Sequence, residues 1–163
     1  MTNNDILRRV RYIFNFNDDK MIALFGLADC TVTRAQISDW MKQEEDPAFI
    51  KLNDSQLATF LNGLINDKRG KKDGPQPLPE KNLTNNAIFM KLKIALNLKA
   101  EDILEIMDLS DFRMSKHELS AFFRKVGHKH YRECKDQILR TFLKGLQMQY
   151  RKDENSEEEF KWK

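Results

Sequence analysis

The sequence predicts an all-α fold built as two tandem four-helix repeats related by pseudo-twofold symmetry, each with a helix-turn-helix-like unit. Three observations carry that prediction. The chain matches itself at an offset of 82 residues with no insertion or deletion, and apolar residues recur at helical spacing in both copies. Alternating runs bounded by Asn-Gly or Asp-Gly, the mark of a β-hairpin, are missing.

The repetition is read residue by residue. Thr2-Asn3-Asn4 returns as Thr84-Asn85-Asn86, Asn15 as Asn97, Leu27 as Leu109, Ser38 as Ser120, and Thr59-Phe60-Leu61-Asn62-Gly63-Leu64 as Thr141-Phe142-Leu143-Lys144-Gly145-Leu146. Many other pairs exchange one apolar residue for another, as Leu7 for Phe89, Val10 for Leu92 and Trp40 for Phe122, so the copies share a packing plan. A single repeat is near the size where one core is marginal, and two are too few for an open solenoid. The prediction is therefore a closed pair whose halves bury one another's apolar stripes.

Residues 1–69 form the first repeat, 70–83 a linker, 84–152 the second repeat and 153–163 a mobile acidic tail. The first helix spans Asn4 to Phe14, with Ile6, Val10, Ile13 and Phe14 on one face, and recurs as Asn86 to Leu96. Asn3 and Asn85 are its expected caps. The second helix, Asp18 to Leu27, recurs as Ala100 to Leu109. The third has the clearest start signal, since Thr33-Arg34-Ala35-Gln36 and Ser115-Lys116-His117-Glu118 are both capping boxes. It is expected over Thr33 to Lys42 and Ser115 to Lys125. The fourth starts near Asp54 or Asp136 as acidic caps and buries Leu57, Phe60, Leu61 and Leu64, or their counterparts. Gly63 and Gly145 fall inside it, where glycine costs about 1 kcal/mol relative to alanine, so a close helix-helix approach is expected there. Three of the four prolines lie between Gly70 and Lys81, which rules out helix or central strand for the linker.

Charged residues make up 33% of the chain, the profile of a globular protein with a well-wetted surface, and no segment approaches the ~18 apolar residues of a membrane span. Met1-Thr2-Asn3-Asn4-Asp5 is not the basic start of a signal peptide, so a cytoplasmic location without membrane contact is expected. Cys30 and Cys134 are not equivalent in the repeats and read as reduced packing residues. The net charge of +3 is unevenly spread. Residues 1–69 carry nine basic against ten acidic side chains, and residues 84–152 carry fourteen against eight, a net +6. Only the second repeat is basic enough to attract a polyanion.

The second and third helices with their short turn outline a helix-turn-helix in both copies, whose second helix would present polar side chains to nucleic acid. In the second copy Arg113, Ser115, Lys116, His117, Ser120, Arg124 and Lys125 are the candidate contacts; in the first, Arg34, Gln36 and Lys42 are diluted by Asp39, Glu44, Glu45 and Asp46. Any pair of short helices joined by a four-residue turn gives this outline, and a plain helical hairpin in the core is the competing reading. The first-helix cations Arg8, Arg9, Arg11, Lys91 and Lys93 could reach phosphates, but such residues more often form a wet face, and that is the reading taken. His128, His130 and Cys134 lie close in sequence, but a fourth ligand is missing and no metal site is expected. No phosphate-cradling glycine motif and no visible nucleophile with its base occur, and Asp18-Asp19 and Glu101-Asp102 are explained by the helix dipole. No catalytic role and no cofactor are expected.

The duplicated Thr-Asn-Asn start, the Phe-Leu-Asn-Gly-Leu and Phe-Leu-Lys-Gly-Leu runs and the Asp46-Pro47-Ala48-Phe49 stretch resemble the YehS-like family over residues 2–152. This resemblance implies a bacterial protein made of two copies of one domain of unknown function, with no activity, ligand or catalytic residue to carry over. The leading expectation is a non-enzymatic regulator or adaptor whose second repeat touches nucleic acid. Its alternative is a protein-interaction module or homo-oligomer; a small molecule held between the repeats is a third reading.

Overall fold

The computed structural model describes residues 1–151. The first repeat folds as α1 (Asn3–Phe14), α2 (Asp18–Leu27), α3 (Arg34–Met41) and α4 (Asp54–Arg69), and the second as α5 (Asn85–Ala95), α6 (Ala100–Leu109), α7 (Lys116–Ala121) and α8 (Asp136–Tyr150). No strand occurs among the described residues. The acidic tail expected over 153–163 lies outside them.

Local chemistry sets most of the helix ends. Thr2 and Thr84 cap α1 and α5, Thr2 with its hydroxyl on the Asp5 N–H at 3.1 Å and the Asp5 carboxylate returning to the Thr2 N–H at 2.9 Å. The caps are thus threonines rather than Asn3 and Asn85, whose amides reach elsewhere. Both capping boxes expected for the third helices form, Thr33 with Gln36 and Ser115 with Glu118. Asp54 is no cap either: Asn53 caps α4 together with Gln56, and α8 starts after Lys135 without a side-chain cap bond. Asn15 and Asn97 (φ 54° and 53°) and Asp29 and Asp111 (φ 60° and 58°) take the left-handed conformation at the same places in both repeats. Short Asn and Asp side chains tolerate it best among non-glycine residues.

Helices α1, α4, α5 and α8 form a central ring, in which α4 packs on α5 and α1 on α8 across the dyad. Outside it, α2 lies on α4 with α3 beside it, and α6 lies on α8 with α7 beside it. One continuous apolar core runs through both halves, including Leu7, Val10, Phe60 and Leu61 from one repeat and Phe89, Leu92, Phe142 and Leu143 from the other. Each half therefore completes the other's core. The linker makes this arrangement possible by running back along α4: Gln76 accepts from Asn66, Ser55 donates to the Glu80 carbonyl, and the Leu83 N–H reaches Asp54 at 2.9 Å. The equivalent bond in the other half comes from the Met1 ammonium to Asp136, at 3.0 Å.

The two helix-interior glycines sit where helices nearly touch. A Cβ on Gly63 would lie 1.7 Å from the Leu24 carbonyl oxygen of α2, and one on Gly145 would lie 2.1 Å from the Ile106 oxygen of α6. Close backbone approach thus offsets the helix-propensity cost of glycine.

Arg9, expected on a wet face, is 1% exposed. It lies three residues after Ile6 and four before Ile13, which is the apolar stripe of α1. Its guanidinium donates to the Gln147 side chain of α8, and burial pushes its pKa down. Lys91, its counterpart on α5, donates to Asn62 of α4 at 2.6 Å and pairs with Glu80 at 3.1 Å. Each first helix thus places one cation into the seam between the repeats.

Candidate functional site

The Thr-Asn-Asn start of each repeat holds the loop between the third and fourth helices. Buried Asn4 donates to the Trp40 and Ile50 carbonyls, both at 3.0 Å, and accepts from the Leu52 N–H at 2.9 Å. Asn86 repeats the pattern with the Phe122 and Arg132 carbonyls (3.0 and 2.8 Å) and the Cys134 N–H (2.9 Å). Asn3 and Asn85 bind the next groups along, the Leu52 carbonyl with Asp54 and the Cys134 carbonyl with Asp136. The Asn3 amide and the Leu83 N–H hold Asp54 below the usual carboxylate range.

This fastening also stops the third helix. In the second repeat the Ala121 carbonyl accepts from the Arg132 N–H at 3.1 Å, and the Phe122 carbonyl is taken by Asn86. A helix running on to Lys125 would give the first of these to Lys125 and the second to Val126. Hence α7 ends at Ala121, and Arg124 and Lys125 lie in the loop beyond it rather than on a recognition helix. In the first repeat the Ile50 N–H bonds to the Asp39 carbonyl in the same way.

The remaining sequence-predicted contacts divide into two groups. Ser115 and Gln36 are used in the capping boxes, and the Ser120 hydroxyl donates to the His117 carbonyl at 2.8 Å. Arg34 pairs with Asp18 and Asp19, and Lys116 with Glu101 at 2.6 Å, so the first residue of each third helix is tied to the start of the second. These residues serve local structure. Arg113 is nearly fully exposed, with its Nε 3.4 Å from Asp108. Arg124 and Lys125 are exposed and make no ion pair among the described residues.

Comparing the two loops exposes residues that sequence reasoning missed. Their backbones follow one path: turns close from Asp46 to Gln43 and Phe49 to Asp46 in one, and from His128 to Lys125 and Tyr131 to His128 in the other. Their side chains have diverged. Residues 42–52 carry two basic against three acidic groups, whereas 124–134 carry four against one, with two histidines added. Lys42 is paired with Asp39 at 2.7 Å. Arg124 stands in the place of Lys42, but Ala121 stands in the place of Asp39, so its counter-ion is gone.

The result is a hollow of about 320 Å³ at the junction of α7 and the following loop, lined by His117, Ser120, Arg124, Lys129, His130 and Arg132 among others. The His117 and His130 rings meet edge to face with centroids 6.1 Å apart, and the His128 ring lies 5.6 Å from that of His130, whose backbone N–H it accepts at 3.0 Å through Nδ1. Glu118 is the carboxylate on the wall; the Ser115 backbone N–H holds it below the usual range, so it stays ionised in its capping box. The sequence carries a signal for this site: Glu44-Glu45-Asp46 aligns with Val126-Gly127-His128 and Asp39 with Ala121.

Other features are less suited to binding. A hollow of about 620 Å³ on the first repeat is lined by Arg8, Arg11, Tyr12 and Phe16, but Arg8 is paired with Asp5 and Arg11 with Asp18. Burial pushes the Cys134 thiol up to about 12, which leaves it without thiolate character at neutral pH. Among the described residues no group of three His, Cys, Asp or Glu side chains is placed to hold a metal ion, and no helix is long and apolar enough to cross a membrane.

A family model described as a protein of unknown function, DUF1456, matches residues 3–70 and again 85–152. The protein from Escherichia coli (strain K12) named "Uncharacterized protein YehS" is 44% identical over 147 residues, covering 90% of this chain and 94% of the relative. No solved structure gives a significant match.

Proposed function

Because the chain belongs to this family of duplicated domains, whose description assigns no activity, we propose a role from the site: a non-enzymatic adaptor or regulator that binds nucleic acid through the phosphates, using the loop after α7. One observation carries this reading. On a backbone shared by both repeats, the second has Val126, Gly127 and His128 where the first has Glu44, Glu45 and Asp46, and exposes Arg124, Lys125 and Lys129 without ion-pair partners among the described residues. Cationic side chains free of carboxylates neutralise phosphates without first breaking a pair. Arg132 lines the same hollow and Arg113 is exposed in the turn before α7, while Ser115 and Lys116 set the start of α7 that supports the loop, as Gln36 and Arg34 do for α3 in the other repeat.

The test is salt dependence. Four to five phosphate contacts give a slope near −4 in log K against log salt, so affinity for DNA should fall about 250-fold between ~50 and ~200 mM salt. Absence of binding at 50 mM salt overturns the reading. Binding that ignores salt, or self-association through an apolar face, favours the protein-interaction alternative instead.

A further inference from the structure

The loop site is concave and local, which a long duplex groove would not require. We propose that the hollow between α7 and the loop takes a phosphate monoester, the terminal phosphate of a nucleic-acid strand or of a mononucleotide; this rests on the nucleic-acid reading above and narrows it to strand ends.

The volume of about 320 Å³ lies at the lower end of small-ligand sites and suits a nucleotide-sized group. Its lining brings together Arg124, Arg132, Lys129, His117 and His130 against one carboxylate, Glu118, which is engaged in its capping box; the Arg132 guanidinium lies over the Phe122 ring at 5.4 Å. A terminal phosphate bears more charge and more free oxygens than an internal diester, so convergent donors favour it. Two features fix the geometry. The Asn86 amide and the Ala121 carbonyl tie Arg132 and its neighbours to the end of α7, and the His128 Nδ1 bond to the His130 N–H shapes the loop that carries Lys129 and His130. The equivalent place in the first repeat offers Ala35, Lys42, Pro47, Ala48 and Ile50, with Lys42 held by Asp39, so the function is specific to the second copy.

Fluorescence anisotropy with a 3′-labelled single-stranded DNA of about twelve nucleotides, carrying either a 5′-phosphate or a 5′-hydroxyl, tests this at ~50 mM salt. The phosphorylated strand should bind at least tenfold tighter, and a nucleoside 5′-monophosphate should displace it where the nucleoside does not. Arg124→Ala and Lys129→Ala should each remove most of that preference. Both side chains are exposed and without ion-pair partners among the described residues, so circular dichroism and Tm should stay as in the parent. Lys144→Ala, an exposed position on α8, should leave the preference intact. Equal, salt-sensitive binding of both strands overturns the strand-end site while leaving phosphate-backbone binding standing. No binding of either strand overturns both.

Discussion

Replacing Gly63 by alanine sets two effects of opposite sign against each other. Alanine is the better helix former by about 1 kcal/mol, which favours the variant. Against this, the new methyl would sit 1.7 Å from the Leu24 carbonyl oxygen and 2.7 Å from its carbonyl carbon, and a rigid backbone cannot swing aside as a flexible side chain can. Restoring an ordinary contact near 3.5 Å requires α2 and α4 to part by roughly 1.8 Å, which forfeits much of the dispersion across that contact. Leu24, Phe25, Phe60 and Leu61 are fully buried there. The cost of such overpacking exceeds the propensity gain, and a net loss of about 2–4 kcal/mol follows. Gly26→Ala is the internal control, because nothing lies within 4 Å of the place its methyl would occupy and the propensity gain acts alone. Urea unfolding followed by far-ultraviolet circular dichroism measures both, with the midpoint falling for Gly63→Ala and rising slightly for Gly26→Ala. A Gly63→Ala protein within about 0.5 kcal/mol of the parent would refute the close-approach account.

Three further outcomes are expected. Asn86→Ala leaves two carbonyls and one N–H without their partner, and should cost about 2–4 kcal/mol, or some 5–12 °C in Tm; a smaller drop than for Thr84→Ala would count against the fastening role. Asp54 has a lowered pKa in the folded chain because the Asn3 amide and Leu83 N–H bind its ionised form, as Asn85 and the terminal ammonium do for Asp136. Stability from such groups is complete above the unfolded value near 3.9 and is lost as pH falls through the folded one. The urea midpoint should therefore decline below about pH 4.5, and Asp54→Asn should flatten that decline; an unchanged slope would exclude Asp54 as a contributor. Ala121→Asp restores the carboxylate that Lys42 has in the other repeat, and should weaken binding of a phosphorylated strand by roughly an order of magnitude at low salt. Unaltered affinity would show that Arg124 is not a contact.

What is legible in the sequence is what neighbours along the chain decide. The boundaries of α2 and α6 match the periodic pattern, both third-helix capping boxes form, and Gly63 and Gly145 mark close approaches. Effects that need partners far along the chain are not legible. Asn4 meets Trp40 and Ile50 only after folding, and the shortening of α7 depends on Arg132 and Asn86 taking its last carbonyls. Arg9 lies on an apolar stripe, yet its burial also requires the opposite repeat to cover it. For the site, the sequence marks Arg124 and Lys125 as candidate cations, but its periodicity places them on a helix that stops short of them. Lys129 and Arg132 escape the periodic pattern because only a comparison of the two loops, position by position, shows how their charges part company.

The fastening by Asn4 and Asn86 touches main-chain carbonyls and amides alone. Apart from Met41 and Phe123, which pack against the core, side chains between the tether points therefore carry little of the architecture, and one loop can be rewritten while the frame stays fixed. Transplanting 124–132 onto 42–50, together with Asp39→Ala and Ala35→His, should yield a molecule with an active tip at each end, a short route to bivalency from a scaffold that began with two interchangeable ends.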